Sequence, residues 1–281
     1  MERRGRQALV ATALCASMAS VPCGFHAGRW ARAFEASARE VLDDEVGISP
    51  TFVAPLGPDP DALEALAASD EARAAATELD ALIGDRAMVL RVDRIDPSKN
   101  IVRGFLAYDL LLETRPELRE RVVFVARLNA SRESLAEYQA YRQEVESTAE
   151  HVNERWATRD WTPVLLDATD DYPRTMAAMG RYDVLLVNAV KDGLNLVAKE
   201  GPLVNQRDGV LCLSPDTGAW DDLGVCALTV HPFDLEQTAD ALHAALVMPA
   251  DERAARAVKL RELAAVRTPQ DWFDDQLSEA R

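Results

Sequence analysis

Short apolar runs alternate with helical patterns along most of the chain. Six of these runs predict strands at 88–92, 122–126, 164–166, 184–187, 210–213 and 226–230. Helical periodicity predicts helices at 101–113, 133–156, 173–181, 196–204 and 235–246. Strands that alternate with helices in this way are typical of right-handed β–α–β units. The sequence therefore predicts an α/β fold with a Rossmann-like, mostly parallel sheet and helices on both faces.

The first part of the chain has a different pattern. A helix-like segment at 28–42 and a strand-like run at 51–54 precede a proline-rich connector at 55–60. Proline fixes φ and removes an amide donor, so the connector is expected to lack regular structure and to mark a domain boundary. An Ala- and Glu-rich helix is predicted after it, at 61–83.

Composition narrows the possible partners. The 281 residues include 31 Lys and Arg against 47 Asp and Glu, a formal net charge of −16. A surface this acidic repels nucleic acid and anionic lipid, so neither is expected to bind. The four cysteines form no CxxC pair and no metal-ligand spacing, which predicts no metal site and a reducing cytoplasm.

The N-terminus allows two interpretations. Three arginines within the first six residues precede a small apolar stretch at 8–20, which is the pattern of a secretory signal peptide. The alternative is an ordinary buried helix. No other stretch is long and apolar enough to span a membrane.

Two cations follow the first strand of the alternating region. Arg94 and Lys99 lie between that strand and the next helix, where a pair of cations can bracket a diphosphate. The alternative is that both pair with Asp93, Asp96 or Glu113 as surface ions of little consequence. Position alone does not decide between these two interpretations.

A second strand, loop and helix follow at 184–204, and the loop carries chemistry of its own. Asp192 lies in the loop, Glu200 follows it by eight positions, and the first helical amides near Leu194 to Val197 lack intrahelical acceptors. A nucleotide sugar offers hydroxyls to both acids and phosphates to the amides. Alternatively, Asp192 and Asn195 cap the helix and Glu200 is an exposed acid. The combination with Arg94 and Lys99 favours a ligand site.

Four segments resemble the trehalose-6-phosphate synthase family. They are V-D-R-I-D-P-S-K-N at 92–100, S-R-E-S-L-A-E-Y at 131–138, D-W-T-P-V at 160–164 and K-D-G-L-N-L-V-A-K-E at 191–200. The family consists of retaining, metal-independent glycosyltransferases with two Rossmann domains, the GT-B architecture. The resemblance extends from about residue 24 to the C-terminus and matches the catalytic, C-terminal half of that architecture.

The resemblance implies a function and a role for each candidate residue. The reaction would be glucose transfer from UDP-glucose or GDP-glucose to glucose-6-phosphate with retention, without a cofactor. Arg94, Lys99 and Asp192 would be catalytic. The donor site would comprise Arg94, Lys99, Asp192, Gly193, Asn195, Leu196, Val197 and Glu200. Within this site, the two cations and the backbone at 195–197 would hold the diphosphate. Glu200 would bind the ribose, and Asp192 with Gly193 would bind the glucose. Arg132 would bind the acceptor phosphate, although pairing with Glu133 is the simpler interpretation of that residue alone.

Two departures from the family pattern affect these expectations. The family usually has D-Y-S/T-K-G where this chain has Asp96-Pro97-Ser98-Lys99-Asn100, so the loop is expected to be stiffer and to lack its glycine. Most of the family's N-terminal Rossmann domain, including its glycine-rich start, has no counterpart in this chain. Residues 1–55 are therefore predicted as a remnant of that domain, 56–266 as the donor-binding domain and 267–281 as a crossover helix.

The same comparison bears on location and partners. The stretch at 8–23 falls where the family has a helix and a strand, which favours the start of a domain over a signal peptide. A cytoplasmic protein is therefore expected, as for an enzyme that uses a nucleotide sugar. Apolar residues of the crossover helix, Trp272, Phe273 and Leu277, are expected to be exposed. A second copy of the chain or a separate N-terminal domain is therefore an expected partner.

Two alternatives to trehalose-6-phosphate synthesis stay open from the sequence. The altered D-P-S-K-N loop allows a related transferase with another acceptor, such as a glucosylglycerol-phosphate or validoxylamine-type enzyme. The lack of most of the N-terminal domain leaves open a second interpretation, in which the protein binds a nucleotide sugar but does not catalyse its transfer.

Overall fold

The computed structural model describes residues 22–41 and 49–280. The apolar stretch at 8–20, for which the sequence allows a signal peptide or a buried helix, lies outside the described residues. The chain divides into two compact units, one from Met1–Gly57 with Arg267–Arg281 and the other from Pro58–Val266. Within the described ranges, no helix is both long and apolar enough to cross a membrane.

The elements are numbered along the chain. The strands are β1 (Cys23–Phe25), β2 (Thr51–Val53), β3 (Ala87–Arg94), β4 (Val122–Asn129), β5 (Val164–Asp167), β6 (Val184–Val187), β7 (Val210–Leu213) and β8 (Leu228–Thr229). The helices are α1 (Gly28–Val41), α2 (Pro60–Ala67), α3 (Asp70–Ile83), α4 (Ile101–Thr114), α5 (Ala136–Trp156), α6 (Tyr172–Arg181), α7 (Val197–Val204), α8 (Trp220–Leu223), α9 (Leu235–Leu246), α10 (Ala250–Ala264) and α11 (Pro269–Glu279).

The smaller unit contains a two-stranded parallel sheet. Strand β1 pairs with β2, with Cys23 opposite Thr51. Gly57 passes against Arg267, two residues before α11, since a Cβ atom at Gly57 would lie 1.6 Å from the Arg267 carbonyl oxygen. No side chain fits there, so the close approach requires glycine.

The larger unit is built on one six-stranded parallel sheet with the order β5-β4-β3-β6-β7-β8. Strands β4, β6 and β7 are runs of buried side chains, as expected for a sheet that is covered on both faces. The order places β3 beside β6, where the chain reverses the direction in which it adds strands. Loops leaving the carboxyl ends of these two strands diverge, which opens a crevice between them.

Two layers of helices cover this sheet. Helix α4 packs against α5 and α9, while α6 packs against α3 and α7, and α10 packs against α7. The predicted α/β fold, a Rossmann-like parallel sheet with helices on both faces, is therefore confirmed.

The prediction of a single helix at 61–83 is wrong. It is divided into α2 and α3, because the Ser69 hydroxyl accepts a hydrogen bond from the Ala72 amide at 3.1 Å and caps a new helix. The Ala-rich periodicity runs through this break and conceals it.

Other boundaries differ near turns. The strand predicted at 226–230 is reduced to β8, because the Cys226 amide donates to the Leu223 carbonyl oxygen in a turn. Helix α5 begins three residues later than the predicted 133, since the Leu135 amide donates to the Arg132 carbonyl oxygen in the preceding turn. Helix α10 was not predicted as an element.

Candidate functional site

The loops after β3 and β6 meet at the carboxyl edge of the sheet. The Lys99 ammonium lies 2.5 Å from Asp192 Oδ2, across 93 positions of sequence. Both side chains are largely buried, with 12% of Lys99 and 16% of Asp192 exposed. The structure thus brings together the two strand–loop–helix units that the sequence analysis combined.

A further carboxylate lies beneath this ion pair. Asp93, near the end of β3, is buried, and its Oδ1 lies 3.8 Å from the Lys99 ammonium. Its Oδ2 lies 3.2 Å from Nε of the fully buried Arg91. Burial raises the pKa of the Asp93 carboxyl to about 6, against the lowering effect of Arg91 and Lys99. A row of side chains with alternating charge therefore runs from the interior of the sheet to the crevice: Arg91, Asp93, Lys99 and Asp192.

The loop that carries Lys99 is held in a defined conformation. Pro97–Lys99 form one turn of 3₁₀ helix, and Asp96 Oδ1 accepts hydrogen bonds from the amide and the hydroxyl of Ser98. Asn100 has φ of 61°, in the left-handed region that favours glycine and that asparagine tolerates better than most other residues. Asn100 therefore adopts the left-handed backbone conformation that glycine favours, although the residue is not glycine.

The Asn100 side chain adds contacts that glycine cannot make. Its Nδ2 donates to the carbonyl oxygen of Asn188 at 3.0 Å and to that of Pro232 at 2.7 Å. The amide of Val190 also donates to the Ser98 carbonyl oxygen at 2.9 Å. The loops after β3 and β6 are thus joined through main chain and side chain.

Arg94 differs from Lys99 in its surroundings. It is exposed at the carboxyl end of β3, and among the described residues no carboxylate lies within 4.0 Å of its guanidinium. The acids considered as surface partners are engaged elsewhere, since Asp93 contacts Arg91 and Glu113 contacts Arg155. Arg94 is therefore available to an anion.

The loop before α7 combines capping with the ion pair. Asp192 Oδ1 accepts from the Leu194 amide at 3.3 Å, and its Oδ2 accepts from Asn195 Nδ2 at 3.1 Å. Asn195, with φ of 70°, accepts from the Ala198 amide at 3.0 Å and caps the helix. Asn195 is thus a cap, whereas Asp192 both braces the turn and faces Lys99.

The amides of Leu196 and Val197 donate to no other described residue. They lie at the first turn of α7, where a helix presents partial positive charge. Gly193 is exposed on the same loop, and a Cβ atom placed on it would meet nothing within 4 Å. Backbone donors and open space therefore adjoin Asp192.

Glu200 lies on α7 and is partly buried, and burial raises the pKa of its carboxyl. No ion pair joins it to another described residue. Tyr172, at the start of α6 and 44% exposed, is close enough for the Glu200 charge to contribute to raising the pKa of its phenol, after burial. The neighbouring Lys199, in contrast, is buried and pairs with Asp222 at 2.6 Å.

Arg132 lies in the loop after β4 and is linked to the Lys99 loop. Its Nη1 donates to the Tyr138 hydroxyl at 2.9 Å, and that hydroxyl donates to Asp96 Oδ2 at 3.2 Å. The simpler pairing with Glu133 does not occur, because that carboxylate accepts from Arg142 instead. A cavity of about 300 Å³ lies beside Tyr138.

Several residues of this arrangement were missed by sequence reasoning. They are Arg91, Asn188, Tyr138 and Tyr172. Arg91 had a visible signal, because a charge within an otherwise apolar strand requires a buried partner. Asn188 and Tyr172 had none, and the contact of Tyr138 with Asp96 joins segments that are 42 positions apart. In the described ranges, no group of three or more His, Cys, Asp or Glu residues could hold a metal ion.

Comparison with known proteins identifies similar chains. The model of glycosyltransferase family 20 matches residues 16–281. A probable UDP-forming α,α-trehalose-phosphate synthase 2 of Arabidopsis thaliana is 31% identical over 277 residues, and a trehalose-6-phosphate synthase of Salmonella arizonae is 35% identical over 218 residues. These alignments cover 95% and 76% of this chain but 34% and 45% of the relatives.

Solved structures agree with this result. The crystal structure of a UDP-forming α,α-trehalose-phosphate synthase from Burkholderia vietnamiensis superposes with a TM-score of 0.85 at 32% identity. An E. coli protein bound with UDP-2-fluoro glucose gives a TM-score of 0.84 at 28% identity. Each match covers 92% of this chain, but only 58% and 60% of the solved chains. This chain therefore spans between about a third and three-fifths of the length of these relatives.

Proposed function

The chain belongs to glycosyltransferase family 20, and from that premise we propose that it transfers glucose from UDP-glucose or GDP-glucose to glucose-6-phosphate with retention. The contact between Lys99 and Asp192 carries this proposal. It brings a cation suited to a diphosphate and an acid suited to sugar hydroxyls into one crevice.

Phosphate binding is assigned to Arg94 and Lys99. In a chain with a net charge of −16, an anionic donor needs local positive charge, and these two cations lie at the carboxyl edge of β3. Arg94 has no carboxylate within 4.0 Å among the described residues, and the free amides of Leu196 and Val197 add donors on the facing loop. Together these groups would stabilise the negative charge that develops on the departing diphosphate.

The remaining donor contacts follow from the same loop. Asp192 and Gly193 would contact glucose hydroxyls, beside the Lys99 ammonium. Glu200 would accept hydrogen bonds from the ribose, since it is partly buried and has no ion-pair partner among the described residues. Asn195 would act through its backbone, because its side chain caps α7.

The acceptor phosphate is assigned to Arg132. The exposed guanidinium is held by Tyr138, which also contacts Asp96 of the Lys99 loop. An acceptor bound at Arg132 would therefore lie near the donor loop. A similar solved structure, a UDP-forming α,α-trehalose-phosphate synthase from Burkholderia xenovorans in complex with glucose-6-phosphate, supports this acceptor.

Cofactor, location and partners complete the proposal. The resemblance to a metal-independent family supports transfer without a cofactor, and use of a nucleotide sugar supports a cytoplasmic protein. Phe273 and Leu277 of α11 are 50% and 43% exposed, which supports association with a second copy or with a separate N-terminal domain.

The proposal is tested by adding each nucleotide sugar with glucose-6-phosphate to the purified chain. Calorimetry would measure donor binding, and chromatography with phosphorus NMR would detect a disaccharide phosphate. Both signals are expected. Donor binding without product would leave a nucleotide-sugar-binding protein, and absence of both would contradict the proposal.

A further inference from the structure

Arg91 is a charged residue at the centre of the sheet with no exposed surface. An unpaired charge in that position would be strongly destabilising, so its partners indicate its role. The guanidinium reaches the loop that follows its own strand. Nη2 donates to the carbonyl oxygen of Lys99 at 3.0 Å, and Nη1 donates to that of Asn100 at 3.3 Å.

The same guanidinium also contacts the second loop of the site. Nη2 donates to Oδ1 of Asn188, the residue that follows β6. Asn188 in turn accepts from Asn100 Nδ2 through its carbonyl oxygen. Arg91 therefore joins the loop that carries Lys99 to the loop that leads to Asp192.

Space for this guanidinium is provided by a glycine in α4. A Cβ atom at Gly104 would lie 2.7 Å from Arg91 Nη1. Glycine within a helix is unfavourable relative to alanine, so its presence there needs a structural reason. Contact with the Arg91 guanidinium is that reason.

Arg91 also affects the charge that Lys99 presents. Asp93 lies 3.2 Å from Arg91 Nε and 3.8 Å from the Lys99 ammonium. Because Arg91 offsets the Asp93 carboxylate, that anion does not cancel the Lys99 charge. The anion that a diphosphate must replace at the ammonium is then Asp192 alone, at 2.5 Å.

We propose that Arg91 is the positioning residue of the donor site, fixing the main chain of Lys99 and balancing Asp93 so that the Lys99 ammonium faces the crevice as a cation. This inference rests on the proposed function, since it requires that Lys99 bind the donor diphosphate. Arg91 itself would touch no donor atom, because it is fully buried.

The test titrates UDP into the full chain by calorimetry, below the unfolding midpoint of every variant. Arg91→Met is expected to weaken UDP binding about tenfold or more. Arg91→Lys keeps a cation near Asp93, but its single nitrogen cannot replace the separate nitrogens by which Arg91 reaches the Lys99 and Asn100 carbonyl oxygens and the Asn188 side chain. It is expected to recover thermal stability without recovering affinity, a split that a purely structural role would not produce.

A matched glycine pair tests the same idea without changing Arg91. Gly104→Ala places a methyl group against the guanidinium and is expected to weaken UDP binding. Gly180→Ala, in α6, meets nothing within 4 Å and is expected to leave UDP binding unchanged. If Arg91→Met does not fold, this pair decides the question.

The outcomes separate the inference from its premise. Wild-type affinity in folded Arg91→Met, or in Gly104→Ala when Arg91→Met does not fold, would overturn the role of Arg91 alone. Failure of the unaltered chain to bind any nucleoside diphosphate would overturn the proposed function, and the inference with it.

Discussion

Lys99 and Asp192 are ion-pair partners at 2.5 Å, although the proposed function assigns them to opposite parts of one donor. Lys99 would hold the diphosphate and Asp192 the glucose. In this structure each neutralises the other, so a bound donor must replace the contact between them. Part of the attraction between donor and site is therefore offset by the loss of this pair.

Replacing Lys99 by alanine should weaken UDP binding. A hydrogen bond to a charged group contributes about 1.5–3 kcal/mol, which corresponds to a loss of roughly tenfold to a hundredfold in affinity. Calorimetric titration with UDP measures this loss of affinity. Lys259→Ala is the matched control, because Lys259 is an exposed lysine of α10 that pairs with Glu262. Equal affinity in the two variants would contradict the assignment of Lys99.

Asp192→Asn should affect UDP and UDP-glucose differently. The change removes the anion that pairs with Lys99, so UDP, which has no glucose, should bind at least as tightly as before. UDP-glucose should lose its advantage over UDP, because the glucose hydroxyls lose a charged acceptor. The ratio of the two dissociation constants, measured by calorimetry, is the test. A parallel loss for both ligands would show that Asp192 acts only on loop structure.

Asn100 should tolerate glycine better than alanine. Alanine at φ of 61° adds about 1 kcal/mol of backbone strain, and both substitutions leave the buried carbonyl oxygens of Asn188 and Pro232 without a donor, at about 1–3 kcal/mol. Urea unfolding should therefore rank the wild type above Asn100→Gly and Asn100→Gly above Asn100→Ala. Equal stability of the two variants would show that the left-handed conformation costs nothing here.

Asp93 should make stability fall as the pH rises. Burial raises the pKa of its carboxyl from 3.8 to about 6, so between these values the folded state binds more protons than the unfolded state. The stabilisation that protonated Asp93 contributes is complete below pH 3.8, the pKa in the unfolded state. It is lost as the pH rises through about 6, the pKa in the folded state. The difference corresponds to roughly 3 kcal/mol.

The measurement compares urea unfolding of the wild type and Asp93→Asn from pH 4 to pH 8. Other groups titrate in both proteins and cancel in the difference. The wild type should lose stability relative to the variant across this range. A constant difference between the two proteins would contradict the raised pKa.

The sequence predicted the fold, and it combined the two loops in which Lys99 and Asp192 meet, for identifiable reasons. Apolar strand runs reveal a covered parallel sheet, and Lys99 and Asp192 each follow such a run, so their meeting follows from topology. The Arg91–Asn188 contact spans 97 positions and depends on side-chain direction, which periodicity does not encode. The break at Ser69 was missed because one capping hydrogen bond overrides a continuous helical pattern.

Glu200→Gln should reduce the preference for ribose. If the carboxylate accepts from ribose hydroxyls, the wild type should bind UDP about tenfold or more tightly than 2′-deoxy-UDP. The variant, whose neutral amide oxygen accepts a weaker hydrogen bond, should lower this ratio. Glu252→Gln, on α10, serves as the control and should keep the ratio, since Glu252 pairs with Arg256. Because burial raises the pKa of Glu200, the wild-type preference should also strengthen with rising pH as the carboxyl ionises. A variant that loses UDP affinity at an unchanged ratio would contradict the contact between Glu200 and the ribose.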